Sequence, residues 1–230
     1  MSAADAAAGG PILAIDTATS AVVVALGTAD GQPLAMTAWP AGHRHGELLL
    51  GSVERLMAEA GVERGRLGGI VVGTGPGAFT GLRVGLATAK ALAHGLDRPI
   101  AGVATSDALI AASADAASGG VVLLLPAGPS DRVLVRSGTP PRLLPGGTEP
   151  VLGPDDTLVA VDLAGRASGD ALARGEQARA GLARELLRLG AARLGAGGDD
   201  LARLVPQYVT LPRGVAAAPA EEVAWSHGPR

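Results

Sequence analysis

A short apolar run, a glycine-rich turn and a helix of small residues constrain this chain most strongly. Residues 69–72 are continuously apolar, as in the buried strands of parallel sheets. The turn at 73–78 contains three glycines and precedes a helix predicted over residues 81–93. One face of that helix lacks bulk, so another backbone can approach it closely. The small residues on this face recur at every fourth position and are Gly81, Gly85, Ala89 and Ala93.

The rest of the chain also alternates between extended and helical patterns. The first half predicts the order β-β-β-α-β-α-β-α, with strands at 12–15, 21–26, 34–39, 69–72 and 99–103 and helices at 47–60, 81–93 and 106–117. The second half repeats this order incompletely, with strands at 121–125, 133–136 and 158–162 and a helix at 177–194. Residues 137–156 are predicted as loop or weak edge strand.

This repetition predicts an α/β fold made of two duplicated lobes, of which the second is degenerate. Such a duplication is the architecture of the actin, sugar kinase and Hsp70 (ASKHA) superfamily. We predict a disordered tail, a first lobe, a second lobe and a loose C-terminal tail, over residues 1–10, 11–103, 104–212 and 213–230 respectively.

Composition argues against several classes of protein. Hydrophobic residues make up 47% of the chain, which is too many for a disordered protein. The absence of cysteine excludes disulfides, thiol nucleophiles and thiolate metal sites. The net charge of −3 is spread evenly, without the basic footprint of a nucleic-acid-binding protein. No signal peptide or apolar run of about 20 residues is present, so we expect a soluble cytoplasmic protein.

Two turns contain groups that bind phosphate in other proteins. The turn at 73–78 has the spacing of a dinucleotide-binding fingerprint, but the candidate acidic residue, Asp97, precedes the next strand instead of following it. A Walker A loop is excluded because no lysine follows the glycines. The turn at 16–20 offers N–H groups, hydroxyls and a carboxylate to phosphate and Mg²⁺, or else it caps its own backbone. A nucleotide site, formed only within a complex, would contain Asp16, Thr17, Gly75 and Gly77.

Other catalytic signals are sparse. His43, His45 and Glu47 are close in sequence, but a catalytic metal site needs three ligands and an open position. The remaining histidines, His94 and His227, lie elsewhere in the chain. The sequence contains no Gly-x-Ser-x-Gly elbow and no local Ser-His-acid spacing. We therefore predict neither a metal site nor catalytic residues.

The helix over 81–93 is apolar on nearly all sides and needs cover on two of them. One side must lie on the sheet. The other side packs either against the helix over 47–60 or against a second protein chain, and the residues alone leave both possibilities open. A partner or dimer interface on these two helices would contain Leu49, Val53, Leu56, Met57, Gly81, Leu82, Gly85, Leu86, Ala89 and Ala93.

Three segments of the chain resemble the TsaB (YeaZ) family. They are Ile-Leu-Ala-Ile-Asp-Thr-Ala-Thr-Ser at 12–20, His-Gly-Glu at 45–47, and Gly-Thr-Gly-Pro-Gly-Ala-Phe-Thr-Gly-Leu-Arg-Val-Gly at 73–85. The resemblance covers about residues 11–110 and implies an ASKHA-type fold. It also implies a non-catalytic subunit of the bacterial tRNA threonylcarbamoyladenosine machinery, which works with the catalytic paralogue TsaD and the ATPase TsaE.

The resemblance implies contact through the helical face of the first lobe, which in this family also supports homodimers. We expect no cofactor on the isolated chain, with ATP and Mg²⁺ possible only within the assembled complex, and the balanced charge predicts contact with tRNA only through a partner. The second lobe departs from the family pattern at residues 125–134 and 206–210, and His43 and His45 do not reproduce the metal-binding histidine pair of the catalytic paralogue. The alternatives are a stand-alone ASKHA-type phosphotransferase or peptidase and a direct tRNA-binding module.

Overall fold

A computed structural model describes residues 9–40, 45–114, 117 and 119–209. The strands are β1 (Ile12–Asp16), β2 (Ala21–Gly27), β3 (Pro33–Pro40), β4 (Gly69–Gly73), β5 (Ile100–Val103), β6 (Val121–Ala127), β7 (Asp131–Arg136), β8 (Arg142–Leu144) and β9 (Thr157–Ala160). The helices are α1 (His45–Glu59), α2 (Phe79–Leu96), α3 (Thr105–Ser113) and α4 (Gly169–Gly195). The predicted tails at 1–10 and 213–230, apart from Gly9 and Gly10, lie outside the described residues.

Two sheets share one topology. The first has the strand order β3-β2-β1-β4-β5, and β1 is antiparallel to β2 and parallel to β4. The second has the order β8-β7-β6-β9, and β6 is antiparallel to β7 and parallel to β9. This repetition confirms the predicted α/β class and the duplication. The second sheet is the smaller one, with four strands against five in the described part of the chain.

Both faces of the first sheet are covered, which explains why β1, β2 and β4 are buried along their whole length. Helices α1 and α2 cover one face, where Leu49 and Leu86 join Ile15 and Val24 in one apolar cluster. On the other face, α4 joins side chains of both sheets in a second cluster. The core is therefore continuous between the two lobes, and the predicted boundary at 103–104 stays a prediction.

One helix begins earlier in the chain than its apolar pattern predicts. Helix α4 begins at Gly169, well before the predicted start at residue 177, because the side chain of Ser168 caps it and accepts a hydrogen bond from the N–H of Ala171. Its first turn packs Ala171 into a small separate apolar cluster of the second lobe, away from the leucine stripe from which the start was predicted. Residues 137–156, predicted as loop or weak edge strand, contain the edge strand β8. Within the described residues, no helix has the length and hydrophobicity needed to cross a membrane.

Candidate functional site

The four predicted nucleotide-binding residues lie together at one edge of the first sheet. Asp16 ends β1 and Thr17 follows it, while Gly75 and Gly77 belong to the turn after β4. Strands β1, β4 and β5 are parallel, so their carboxyl ends meet at this edge. Ligands of open α/β sheets bind outside the carboxyl ends of the strands. The predicted residues therefore occupy the position expected for a ligand site.

The carboxylate of Asp16 is fully buried and serves the chain's own hydrogen bonds. It accepts from the Oγ1 of Thr105 at 2.6 Å and from the N–H of Ala18 at 2.9 Å. The N–H of Gly75 donates in turn to Thr105 Oγ1 at 3.1 Å. Burial raises the pKa of Asp16 to about 6, against the lowering effect of the two hydrogen bonds. Nucleotide contact at this carboxylate, within a complex, stays a prediction.

The small-residue face of α2 is filled by the β1–β2 turn. Thr17 Oγ1 donates to the carbonyl oxygen of Gly81 at 2.7 Å. A Cβ added at Gly81 would lie less than 3.0 Å from the carbonyl oxygen of Thr17, and one added at Gly85 equally close to Thr17 Oγ1. Ala89 and Ala93 are buried in the apolar cluster shared with the sheet. Of the two possibilities left open by the sequence, cover from within the chain is the one that the structure shows for this face.

The ten residues predicted to form a partner or dimer interface are all buried within this chain. They are Leu49, Val53, Leu56, Met57, Gly81, Leu82, Gly85, Leu86, Ala89 and Ala93. They build the core beneath α1 and α2 and do not form a surface. On the outside of these helices, Leu48 and Leu50 of α1 are 43% and 49% exposed, and Ala87 and Ala91 of α2 are also exposed.

The C-terminal part of the described chain lies across the glycine-rich turn. The N–H of Gln207 donates to the carbonyl oxygen of Thr74 at 2.8 Å. The ring centroid of Tyr208 lies 5.1 Å from that of Phe79, and its hydroxyl accepts from Arg83 Nε at 3.1 Å. The Arg83 guanidinium also lies 3.8 Å from the Phe79 ring centroid. Three residues of the motif at 73–85 therefore hold this segment in place, a role that the motif alone did not predict.

Charged residues join the β1–β2 turn to the second half of the chain. The N–H of Ser20 donates to Asp162 Oδ2 at 2.6 Å, and the Ser20 hydroxyl donates to Asp162 Oδ1. Arg179 Nη1 donates to Ser20 Oγ at 2.8 Å and lies 3.4 Å from Asp162 Oδ1. Asp162 follows β9, and Arg179 belongs to α4. This contact between the lobes was not predicted from the sequence.

The histidines considered for a metal site do not all lie within the described residues. His43 and His227 lie outside the described residues, and the backbone of His45 and Glu47 forms the first turn of α1. Among the side chains that the structure describes, no three of the metal-ligating types are grouped around one point.

Comparison with known proteins identifies relatives of this arrangement. The family model described as TsaD, tRNA N6-adenosine threonylcarbamoyltransferase, matches residues 40–155, which is half of the chain. The protein TsaB of Escherichia coli, described as a tRNA threonylcarbamoyladenosine biosynthesis protein, is 36% identical over 94 residues, or 41% of this chain and 40% of that protein. An uncharacterized protein of Mycobacterium leprae is 44% identical over 101 residues, or 43% of this chain and 28% of its own length.

The solved structure of YeaZ from Pseudomonas aeruginosa resembles this chain over nearly its full length. Its TM-score is 0.66 at 25% identity, with 86% of this chain and 99% of that chain covered. The two-lobe ASKHA-type fold therefore extends through the second half, where the sequence departs from the family pattern. The chain spans less than half the length of the curated relatives that it matches.

Proposed function

The chain belongs to the TsaB/YeaZ family, and on that premise we propose that it is a non-catalytic subunit of the machinery that forms threonylcarbamoyladenosine in tRNA. One observation carries the proposal. The carboxyl edge of the first sheet, where an ASKHA-type enzyme would hold its substrate, is filled by this chain's own atoms: Asp16 is buried, and Gln207 is bonded to Thr74 across the glycine-rich turn. A subunit that activates or positions a partner does not need this edge to be open.

The proposed partners are a TsaD-like catalytic paralogue and a TsaE-like ATPase, with a homodimer as the form without partners. We place the shared contact on the outer surface of α1 and α2, because the buried residues of these helices are already used by the core. Leu48 and Leu50 lie on the two flanks of α1, on either side of the buried Leu49, and each leaves over two fifths of its surface exposed. A contiguous exposed apolar patch marks a protein–protein contact surface, and the proposal requires these leucines to belong to one with the exposed alanines of α2.

The test is size-exclusion chromatography and sedimentation of this chain with its TsaD-like paralogue. We expect Leu48→Glu and Leu50→Glu to weaken association at least tenfold while leaving the melting temperature unchanged, because the altered side chains lie outside the core. Leu143→Glu is the matched control, since this leucine is 44% exposed but lies on β8 of the second lobe. Equal association by all three variants and the unaltered chain would contradict the proposed surface.

The cofactor and nucleic-acid parts of the proposal are tested on the isolated chain. We propose that it binds no cofactor alone, that ATP and Mg²⁺ enter only in the assembled complex, and that it acts in the cytoplasm without contacting tRNA directly. Calorimetry with Mg-ATP and filter binding with tRNA should give no signal at micromolar protein. Micromolar ATP binding with turnover would favour a stand-alone ASKHA-type enzyme, and salt-dependent tRNA binding would favour a nucleic-acid-binding module.

A further inference from the structure

The first sheet has two edge strands, β3 and β5, and only the edge of β5 is hydrogen-bonded to another segment of the described chain. The N–H of Asp199 donates to the carbonyl oxygen of Ile100 at 2.7 Å, and the N–H of Gly102 donates to Asp199 Oδ2 at 2.7 Å. Arg193 Nη2 donates to Asp199 Oδ1 at 2.7 Å and so holds this carboxylate in place. The edge of β5 is therefore closed by an acidic residue, whereas no strand in the described part of the chain pairs with the outer edge of β3.

Strand β3 is protected against further pairing only at its two ends. Pro33 and Pro40 bound the strand, and a bulge leaves Leu34 out of the regular register with β2. Residues 35–39 follow that register without interruption and include no charged side chain. Soluble proteins usually protect a free edge with charged residues or a covering segment, and an edge without them is a template for another strand. The outer edge of β3 can therefore accept a strand along these five residues.

Both faces of the sheet present apolar side chains along β3. Ala35 and Trp39 lie on the face covered by α1 and pack partly into the apolar cluster beneath that helix. On the opposite face, Met36 is 48% exposed and Ala38 is exposed as well. The bulged Leu34 is 51% exposed. A strand added at this edge would therefore bury apolar surface in addition to pairing main-chain groups, and both effects favour association.

The sequence of β3 matches its own copy when the two strands are antiparallel. Directly opposite residues of antiparallel strands share one face, so a strand that pairs with its copy about a two-fold axis has one residue opposite itself. With Thr37 on the axis, Met36 lies opposite Ala38 of the second copy, and Ala35 lies opposite Trp39. Each large side chain then meets a small one, and the two threonines meet each other, which is a favourable cross-strand pair. The bulge and the second proline fall outside the paired segment.

We propose that the outer edge of β3 is an interface between two copies of this chain, which continues the first sheet across a two-fold axis at Thr37. Charge favours a second copy as the occupant: a charged peptide finds no charged residue in 33–40 to pair with, whereas the copy brings an equally uncharged strand. The paired segment is short, so the contact buries less than about 1,200 Å², as in weak and transient complexes. This inference goes beyond the proposed function and does not rest on it, because the edge of β3 is not part of the surface placed on α1 and α2.

Disulfide cross-linking tests the contact directly, because the chain contains no cysteine of its own. Thr37→Cys would bring two thiols opposite each other, with Cα atoms about 4.5–5.5 Å apart, which is within the range for a disulfide. Ala35→Cys is the matched control: it is half-buried on the same face, but its two copies would lie about 13 Å apart along the strands. We expect Thr37→Cys to form a covalent dimer on oxidation at least tenfold faster than Ala35→Cys. A mixture of Met36→Cys and Ala38→Cys should form the mixed dimer.

Sedimentation of the full chain over a range of concentrations gives the second measurement. We expect Met36→Lys to weaken self-association at least tenfold, because a lysine on an edge strand opposes pairing, and Leu143→Lys on the short edge strand β8 to leave it unchanged. If the lysine at 36 lowers the melting temperature, the cross-linking result decides. Equal cross-linking of Thr37→Cys and Ala35→Cys overturns the proposal, and so does a chain that stays monomeric. Self-association that survives Met36→Lys but is lost in Leu48→Glu assigns the contact between copies to α1 and overturns it as well.

Discussion

Replacing Gly85 by alanine tests whether the small-residue face of α2 is open to solvent or is already filled by Thr17. Within an exposed stretch of helix, replacing glycine by alanine stabilises a protein by about 1 kcal/mol. At Gly85 the added Cβ would lie less than 3.0 Å from Thr17 Oγ1 and 3.3 Å from Thr17 Cβ. Thr17 would have to rotate, and its hydrogen bond to the carbonyl oxygen of Gly81 would be lost. Gly85→Ala is therefore expected to destabilise this chain in spite of the gain in helix propensity.

The expected magnitude follows from three contributions. Loss of the buried hydrogen bond costs about 1–3 kcal/mol. Crowding of the packed helix–turn contact costs about 1–3 kcal/mol. The gain in helix propensity offsets about 1 kcal/mol of this total. We expect the free energy of unfolding to fall by about 1–5 kcal/mol.

A double-mutant cycle with Thr17→Ala tests the mechanism. Alanine at 17 removes the Oγ1 that collides, so Gly85→Ala in that background should be neutral or stabilising by up to about 1 kcal/mol. Urea denaturation followed by circular dichroism gives all four free energies. Gly51→Ala in α1 is the control, because no described atom lies within 4 Å of its added Cβ. The reasoning fails if Gly85→Ala stabilises the unaltered chain as Gly51→Ala does, or costs the same in both backgrounds.

Three further predictions concern single side-chain contacts. The pKa of Asp16 rises from 3.8 to about 6 on folding, so its contribution to the free energy of unfolding falls by up to about 3 kcal/mol as the pH is raised from 4 to 6. Asp16→Asn should lack this decline when urea denaturation is measured across that range. Parallel pH profiles of the two proteins would contradict the prediction. Gly190→Ala in α4 should lower the melting temperature, because its Cβ would lie under 3.0 Å from the side chain of Val71, whereas an unchanged melting temperature would refute the close approach. Tyr208→Ala should speed hydrogen exchange at residues 204–209 while Tyr208→Phe, which loses only the bond from Arg83, changes it little; equal rates in both would exclude the stacked ring as the anchor.

Local patterns predicted the first lobe well because its strands and helices bury continuous apolar runs. The strand at 69–72 and the helix at 81–93 agree closely with β4 and α2. The spacing of small residues in α2 showed that one face of the helix lacks bulky side chains, but it did not show which residues pack against that face. Its cover is Thr17, which lies 64 residues away from Gly81 in sequence. Helical periodicity describes the surface of one element, whereas the packing partner depends on tertiary topology.

The candidate site was located by sequence, but its internal contacts were not. Asp16 and the glycine-rich turn are recognisable because an acidic residue after one strand and glycines after another are typical of the carboxyl edge of a parallel sheet. The partner of Asp16 is Thr105, a residue 89 positions away at the start of α3. Threonine at a helix start is common and carries no local sign of this contact. Long-range polar pairs of this kind need the topology before they can be predicted.

The departure of the second lobe from the family pattern has a structural explanation. Residues 125–134 still form the end of β6, a turn and the start of β7, so the fold is retained there. The turn itself contains Gly128 with φ at +79° and Pro129, and it presents its carbonyl oxygens to Arg166. A turn that bonds a cation through main-chain oxygens does not depend on the side chains that the family pattern places there. Asp162 and Arg166 both lie between β9 and α4, and through them this one segment contacts the β1–β2 turn and the β6–β7 turn.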